Sequence, residues 1–213
     1  MTRGDIIVIS APSGSGKTTI CRALLARVDG LVLSISYTTR EKRKGESGGK
    51  DYYYVDEPEF DNMVDCKEFL EYARVYGHWY GTSFATVDAI VSGGEDAVLE
   101  IDVQGGRSVK AAVPGAVLIG ILPPDCKTLR DRLFGRARDS REDMELRYEA
   151  ARQEISDLKD HYDYLVVNKD LETAVRQVEC IIRARRLRRE RMMDAVGRIL
   201  REKGEGQDGS SNG

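Results

Sequence analysis

Apolar runs alternate with segments of helical periodicity along most of the chain. The runs have the length of buried strands and cover residues 6–10, 31–36, 97–101, 116–122 and 164–167. Apolar side chains at helical spacing predict helices at 17–28, 83–92, 105–112, 125–134 and 170–190. Strands that alternate with helices are typical of a doubly wound parallel sheet, so the pattern predicts an α/β fold.

The rhythm changes between the second and third apolar runs. Short aromatic stretches at 52–55, 69–76 and 79–80 predict half-exposed strands. A helix should begin between them, because Asp56 and Glu59 have capping-box spacing and the proline between them suits a first helical turn. The sequence therefore predicts a small β-rich subdomain inserted at about 37–82.

The clearest candidate for chemistry lies where the first strand meets the first helix. Residues 6–19 read IIVISAPSGSGKTT and fit the pattern G-x-x-x-x-G-K-[ST], with alanine at the first glycine. Backbone N–H groups of such a turn and the positive end of the helix bind anions. Lys17 can reach a β/γ-phosphate and Thr18 can offer its hydroxyl to Mg²⁺, whereas an ordinary strand-to-helix turn needs neither. The predicted ATP-binding residues here are Ala11, Pro12, Ser13, Gly14, Ser15, Gly16, Lys17, Thr18 and Thr19.

Composition favours a globular domain rather than a membrane or metal-rich protein. The chain has 213 residues, of which 41% are hydrophobic and 32% charged, which suits one domain with a small insertion. Neither an apolar run of ~18 residues nor a signal peptide is present, which predicts a cytoplasmic protein. The four cysteines lie far apart and only two histidines accompany them, so we expect free, mostly buried thiols.

Charge is concentrated near the end of the sequence. Residues 183–203 hold nine arginines and lysines against three acids, although the whole chain has a net charge of −3. Apolar side chains at helical spacing run through this segment, which favours a solvated helix face over a nucleic-acid or membrane patch. The small and charged residues at 135–143 predict a lid between two helices. The polar residues 204–213 predict a disordered tail.

The inserted subdomain carries two groups of side chains that suit a nucleotide acceptor. Arginines three residues apart, together with tyrosine hydroxyls, suit a phosphate dianion. A carboxylate flanked by hydroxyls can accept the N1–H and N2–H₂ groups of guanine, which adenine does not offer. The first group is Arg40, Arg43, Tyr52 and Tyr80, and the second is Ser36, Glu71 and Thr82.

Several motifs together identify a family. They read SxSxTTRxxRxGE at 34–46, DY at 51–52, FLEYA at 69–73, YGT at 80–82, EIDVQG at 100–105, LPP at 122–124 and VVN at 166–168. With the glycine-rich turn, this ordered set resembles the guanylate kinase family. The resemblance implies transfer of the γ-phosphoryl group of ATP to GMP with Mg²⁺, in a P-loop fold with a GMP-binding insertion and a helical lid. It implies one domain over 1–203, with a core of 1–36, 83–134 and 148–203, a GMP-binding region at 37–82 and a lid at 135–147.

The resemblance also implies roles for individual residues. Lys17 and the arginines Arg132, Arg136 and Arg147 would stabilise the transferring phosphoryl group. The GMP site would comprise the two groups above together with Glu100 and Asp102, which we place on one face of a strand. Either of these two acids would help Thr18 to hold Mg²⁺ through water, and Asn168 would join the ATP site. The usual Arg-Gly of the lid is Arg136-Ala137 here, and Arg138 and Arg141 also depart from the family pattern.

Two other functions remain open at this stage. A catalytically inactive interaction module would not need the intact lysine, threonine and arginine set. A kinase acting on a ribose phosphate would not need the guanine-binding group. We expect ATP and GMP as the partners, no membrane and no nucleic acid, and either a monomer or a homodimer.

Overall fold

The computed structural model describes residues 3–75, 77–134 and 141–202. The strands are β1 (Ile6–Ser10), β2 (Leu31–Leu33), β3 (Tyr37–Thr38), β4 (Tyr53–Tyr54), β5 (Phe69–Val75), β6 (His78–Ser83), β7 (Asp96–Glu100), β8 (Val117–Leu122) and β9 (Tyr164–Val167). The helices are α1 (Lys17–Leu25), α2 (Glu57–Asp65), α3 (Phe84–Ser92), α4 (Val103–Ala112), α5 (Cys126–Phe134), α6 (Arg141–His161), α7 (Leu171–Arg186) and α8 (Arg189–Glu202).

Five parallel strands form the central sheet, in the order β2-β7-β1-β8-β9. Apolar side chains of α1 and α7 cover one face of this sheet, and those of α3 and α4 cover the other. The three inner strands β7, β1 and β8 are therefore buried on both sides, which explains why they read as continuous apolar runs. The predicted doubly wound α/β fold is confirmed.

A second, four-stranded sheet has the order β4-β3-β6-β5. Helix α2 packs on it through Phe60 and Met63, and the Phe60 ring stacks on Phe69 at 4.6 Å between centroids. The predicted start of α2 is confirmed, because the Asp56 side chain accepts a 2.8 Å hydrogen bond from the Glu59 amide. The apolar run at 31–36 differs from its prediction: β2 ends at Leu33, and the chain then crosses into the small sheet as β3.

The basic segment is arranged differently from its prediction. The helix predicted at 170–190 ends at Arg186, and a separate helix, α8, follows. Part of the segment is not a solvated face, since Arg186 and Arg191 donate to the buried Asp96 at 2.7 and 2.8 Å. Arg185 lies 3.5 Å from Asp5. These contacts attach the C-terminal helices to the amino-terminal edge of the central sheet.

The predictions about the cysteines, the lid and the tail have different outcomes. Only Cys21 is buried, and Cys66, Cys126 and Cys180 are exposed, so the expectation of mostly buried thiols was wrong. Arg136, Ala137 and Arg138 of the predicted lid and the whole predicted tail lie outside the described residues.

Among the helices that are described, none combines the length and the apolar character needed to cross a membrane. The cytoplasmic location stays a prediction.

Candidate functional site

The glycine-rich turn lies at the carboxyl end of β1 and leads directly into α1. Gly16 has φ of +90°, a backbone conformation that favours glycine. The Asn168 side chain donates a 2.8 Å hydrogen bond to the Ser15 carbonyl, and a Cβ on Gly16 would lie 2.6 Å from its Nδ2 atom. Asn168 is buried, and its hydrogen bond to the Ser15 carbonyl holds the turn in place. Ala11, at the position of the first glycine of the motif, is buried as well.

Two residues of α1 reach from the turn to the last residue of β7 and the residue after it. Lys17 Nζ donates to the Ile101 carbonyl at 2.8 Å, and the Thr18 hydroxyl donates to Glu100 at 2.5 Å. The sequence predicted that Asp102 shares a strand with Glu100, and this prediction was wrong. The strand ends at Glu100, and Asp102 caps α4 by accepting a 2.6 Å hydrogen bond from the Gly105 amide. Both acids nevertheless line one cleft with Lys17.

This cleft has a volume of about 250 Å³ and separates the glycine-rich turn from the small sheet. Glu71 of β5 lies on its far wall, 6% exposed, and accepts a 2.5 Å hydrogen bond from the Thr82 hydroxyl of β6. Burial, with a smaller contribution from Asp102, raises the pKa of Glu71 to about 7. Ser36 also lines the cleft. The three residues predicted to bind guanine are therefore on the small-sheet side of the cleft.

A second opening of about 650 Å³ shares Tyr52 and Glu100 with the first as lining residues. Arg43 and Thr18 line it. The Arg40 guanidinium lies 5.4 Å from the Tyr52 ring centroid, and the rings of Tyr52 and Tyr80 are 5.8 Å apart. The structure thus brings together the four residues predicted for a phosphate group, close to the carboxyl end of β7.

Two residues of this region were missed by the sequence analysis. Glu46 accepts hydrogen bonds from the Arg40 guanidinium at 2.9 and 3.1 Å. Gly105 leaves the space that the Glu71 carboxylate fills, because a Cβ on Gly105 would lie 2.7 Å from Glu71 Oε2. Both stand inside quoted motifs, RxxRxGE and EIDVQG, so the only available signal was their presence there.

The structure describes two of the three arginines that were predicted to bind the transferring phosphoryl group. Arg132 on α5 packs by the glycine-rich turn: its Cβ is 3.6 Å from where a Cβ on Gly14 would be. Arg147 is half-buried on α6. Arg136 lies outside the described residues.

The site offers oxygen ligands for a divalent cation but no complete metal cage. In the described parts of the chain, no group of three or more histidine, cysteine, aspartate and glutamate side chains could hold a metal ion. The Thr18 hydroxyl and Glu100 carboxylate, 2.5 Å apart, are hard oxygen donors of the kind that Mg²⁺ prefers. These donors fit a Mg²⁺ ion that takes its other ligands from water and nucleotide phosphates.

Comparison with known proteins gives one consistent result. The family model described as guanylate kinase matches residues 3–185. The chain is 45% identical to guanylate kinase of Methylococcus capsulatus, over 94% of this chain and 98% of that protein. It is 43% identical to guanylate kinase of Thermotoga maritima, over 94% and 96% of the two chains. The crystal structure of guanylate kinase from Anaplasma phagocytophilum has a TM-score of 0.74, 34% sequence identity and 90% coverage of both chains. The chain belongs to the guanylate kinase family.

Proposed function

We propose that the cleft between the glycine-rich turn and the small sheet is where this member of the guanylate kinase family transfers the γ-phosphoryl group of ATP to GMP. The products are ADP and GDP. The observation that carries the assignment of the acceptor is the buried Glu71 carboxylate, bound by Thr82 and aimed at a cleft whose opposite wall holds Lys17. Guanine pairs with such a carboxylate through N1–H and N2–H₂, and adenine has no N1–H to donate.

The acceptor phosphate would lie where Arg40, Arg43, Tyr52 and Tyr80 meet. Two guanidinium groups and two phenol hydroxyls can donate to three phosphate oxygens at once. A phosphate acceptor is already ionised at neutral pH, so the reaction needs alignment and charge neutralisation rather than a general base. Lys17 and the arginines Arg132, Arg136 and Arg147 would neutralise the charge of the transferring group.

The donor nucleotide would be held by the glycine-rich turn, residues 11–19, together with Asn168, which also supports the turn through its hydrogen bond to the Ser15 carbonyl. Thr18 would bind Mg²⁺ directly, and Glu100 or Asp102 would act through water. Bound there, Mg²⁺ would neutralise phosphate charge and orient the phosphate chain. The 2.5 Å bond from Thr18 to Glu100 keeps that hydroxyl at the carboxyl end of β7, beside the acceptor site.

The substitution Glu71→Gln tests the acceptor assignment. It keeps the side-chain shape but turns one acceptor into a donor that faces the N–H edge of guanine. We expect kcat/KM for GMP to fall by the equivalent of about 2–4 kcal/mol, while KM for ATP stays unchanged. A coupled assay of ADP formation with GMP and AMP as alternative acceptors measures both quantities.

The comparison with AMP is the control within this experiment. Because AMP does not use the same pair of hydrogen bonds, its much lower activity should change less, and the preference for GMP should narrow. Equal losses for GMP and AMP would mean that other residues recognise guanine, and the acceptor assignment would then be wrong.

A further inference from the structure

Arg40 is unusually well held for a residue that must bind a substrate phosphate. Its side chain is 9% exposed, and its guanidinium lies 5.4 Å from the Tyr52 ring centroid and 6.0 Å from that of Tyr54. One terminal nitrogen donates to the Glu41 carbonyl at 2.7 Å, and the other donates to both Glu46 oxygens. A guanidinium has five N–H groups, so donors remain for a phosphate.

Glu46 collects hydrogen bonds from three parts of the same region. Besides Arg40, it accepts 2.8 Å bonds from the Tyr54 hydroxyl and from the Arg43 backbone amide. The hydrogen bond from Arg40, followed by those from the Arg43 amide and Tyr54, lowers the pKa of Glu46 from 4.5 to about 2. One carboxylate therefore joins the side chain of one predicted phosphate ligand, the backbone of the other, and strand β4.

The Glu46 carboxylate should weaken the electrostatic attraction between this site and a phosphate dianion. It lies beside two arginines predicted to bind a dianion, and its own charge would repel that dianion. A buried guanidinium without a partner is costly, however, and its side chain would rearrange when the substrate is absent. A fixed partner removes that rearrangement and so lowers the cost of binding.

We propose that Glu46 is a positioning residue that fixes Arg40 and the turn at Arg43 in their phosphate-binding arrangement before GMP arrives. This inference rests on the proposed function, since it assigns the phosphate of GMP to these arginines. It makes a directional claim: the loss of Glu46 weakens the binding of the phosphate group, although it removes a negative charge from the site.

The substitutions Glu46→Gln and Tyr54→Phe test the proposal in the full-length protein. We expect Glu46→Gln to raise KM for GMP by about tenfold or more, with kcat and KM for ATP little changed. Tyr54→Phe removes one of the bonds to Glu46 and keeps the aromatic ring beside Arg40, so it should act in the same direction by a smaller factor. Guanosine, which lacks the phosphate, should inhibit both variants competitively with the same inhibition constant as it shows for the wild type.

Glu41→Gln is the matched control, because it makes the same charge change at an exposed side chain of the same loop. It should leave KM for GMP unaltered. An unchanged or lower KM for GMP in Glu46→Gln would overturn the proposal, because Glu46 would then act only as a repelling charge. Equal weakening of ATP, GMP and guanosine would also overturn it, since Glu46 would then support the fold in general. If the wild type does not form ADP when GMP is the acceptor, the proposed function itself fails.

Discussion

The environment of Glu71 shows how one residue combines recognition with a sensitivity to pH. Its carboxyl group is buried next to Asp102, and both features favour the protonated acid. The Thr82 hydroxyl and Lys17 favour the carboxylate, but they do not compensate fully, so its pKa lies near 7 rather than near 4.5. Only the carboxylate can accept both N–H groups of guanine.

We therefore predict that guanine binding weakens as the pH falls through about 7. Since the pKa is raised and the deprotonated form is the competent one, binding is complete above the pKa and lost below it. Each pH unit below the pKa should weaken binding by up to about tenfold. The inhibition constant of guanosine, measured between pH 5.5 and 8.5, checks this without interference from the titration of a phosphate group.

Glu71→Gln supplies the control for this pH profile. The variant has no titrating group at that position, so its weaker binding of guanosine should not vary over the same pH range. A flat profile in the wild type would show that Glu71 is ionised throughout that range.

At the scale of elements, the first turn of α4 packs closely against β5. The Asp102 side chain caps this turn at the Gly105 amide, and the missing side chain of Gly105 leaves room for the Glu71 carboxylate. The same turn therefore begins α4 and shapes the guanine pocket. A glycine in a helix is costly by up to about 1 kcal/mol relative to alanine, so its presence here favours the pocket over helix stability.

We predict that Gly105→Ala raises KM for GMP by about tenfold or more, the equivalent of ~1.4 kcal/mol, without lowering the melting temperature. The added methyl group would displace the Glu71 carboxylate, which Thr82 and burial otherwise hold in place. Steady-state kinetics with GMP and ATP, together with thermal unfolding, measure both effects.

Gly197→Ala in α8 is the matched control for Gly105→Ala. The nearest neighbour of its Cβ would be the flexible end of Arg201, at 3.4 Å. We expect this variant to leave the kinetics unaltered. A normal KM for GMP in Gly105→Ala would mean that Glu71 has a second competent position.

These elements also mark how far the sequence could predict the structure. Local signals were sufficient for the turn before α1 and for the Asp56 cap of α2, because neighbouring residues determine them. They were insufficient for Asp102. The sequence placed this residue on a strand with Glu100, but β7 ends at Glu100 and Asp102 caps the next helix. Glu46 is six residues from Arg40, but nothing in the spacing shows that the loop folds back to join them.

At the scale of the whole molecule, Asp96 joins both ends of the described chain to the central sheet. It is 1% exposed and accepts hydrogen bonds from the Asp5 amide, Arg186 and Arg191. Burial opposes its charge, but these bonds outweigh burial and hold its pKa below the usual value. The sequence predicted a solvated helix face for this segment, because Asp96 and its two arginine partners are about ninety residues apart and no local pattern links them.

We predict that Asp96→Ala lowers the free energy of unfolding by about 2–3 kcal/mol, because the Asp5 amide and two arginines lose their buried acceptor. The cleft is at the opposite edge of the sheet, so kcat at a temperature well below the unfolding transition should be unchanged. Chemical denaturation and the ADP assay measure the two quantities.

Asp88→Ala offers a direct comparison for the loss of an ion pair. Asp88 pairs with Arg3 at 2.7 Å, but both side chains are exposed. Its loss should cost no more than about 1 kcal/mol. Similar losses for the two variants would show that burial does not strengthen the Asp96 cluster.

The hydrogen bond from Asn168 to Ser15 has a consequence for the order in which the protein is made. The two residues are 153 positions apart, so the turn that receives the nucleotide emerges from the ribosome long before its support. The donor pocket can therefore be completed only after residue 168 has been made. A nascent chain cut short before residue 168 carries every residue of the P-loop motif but lacks the side chain that holds the loop in shape.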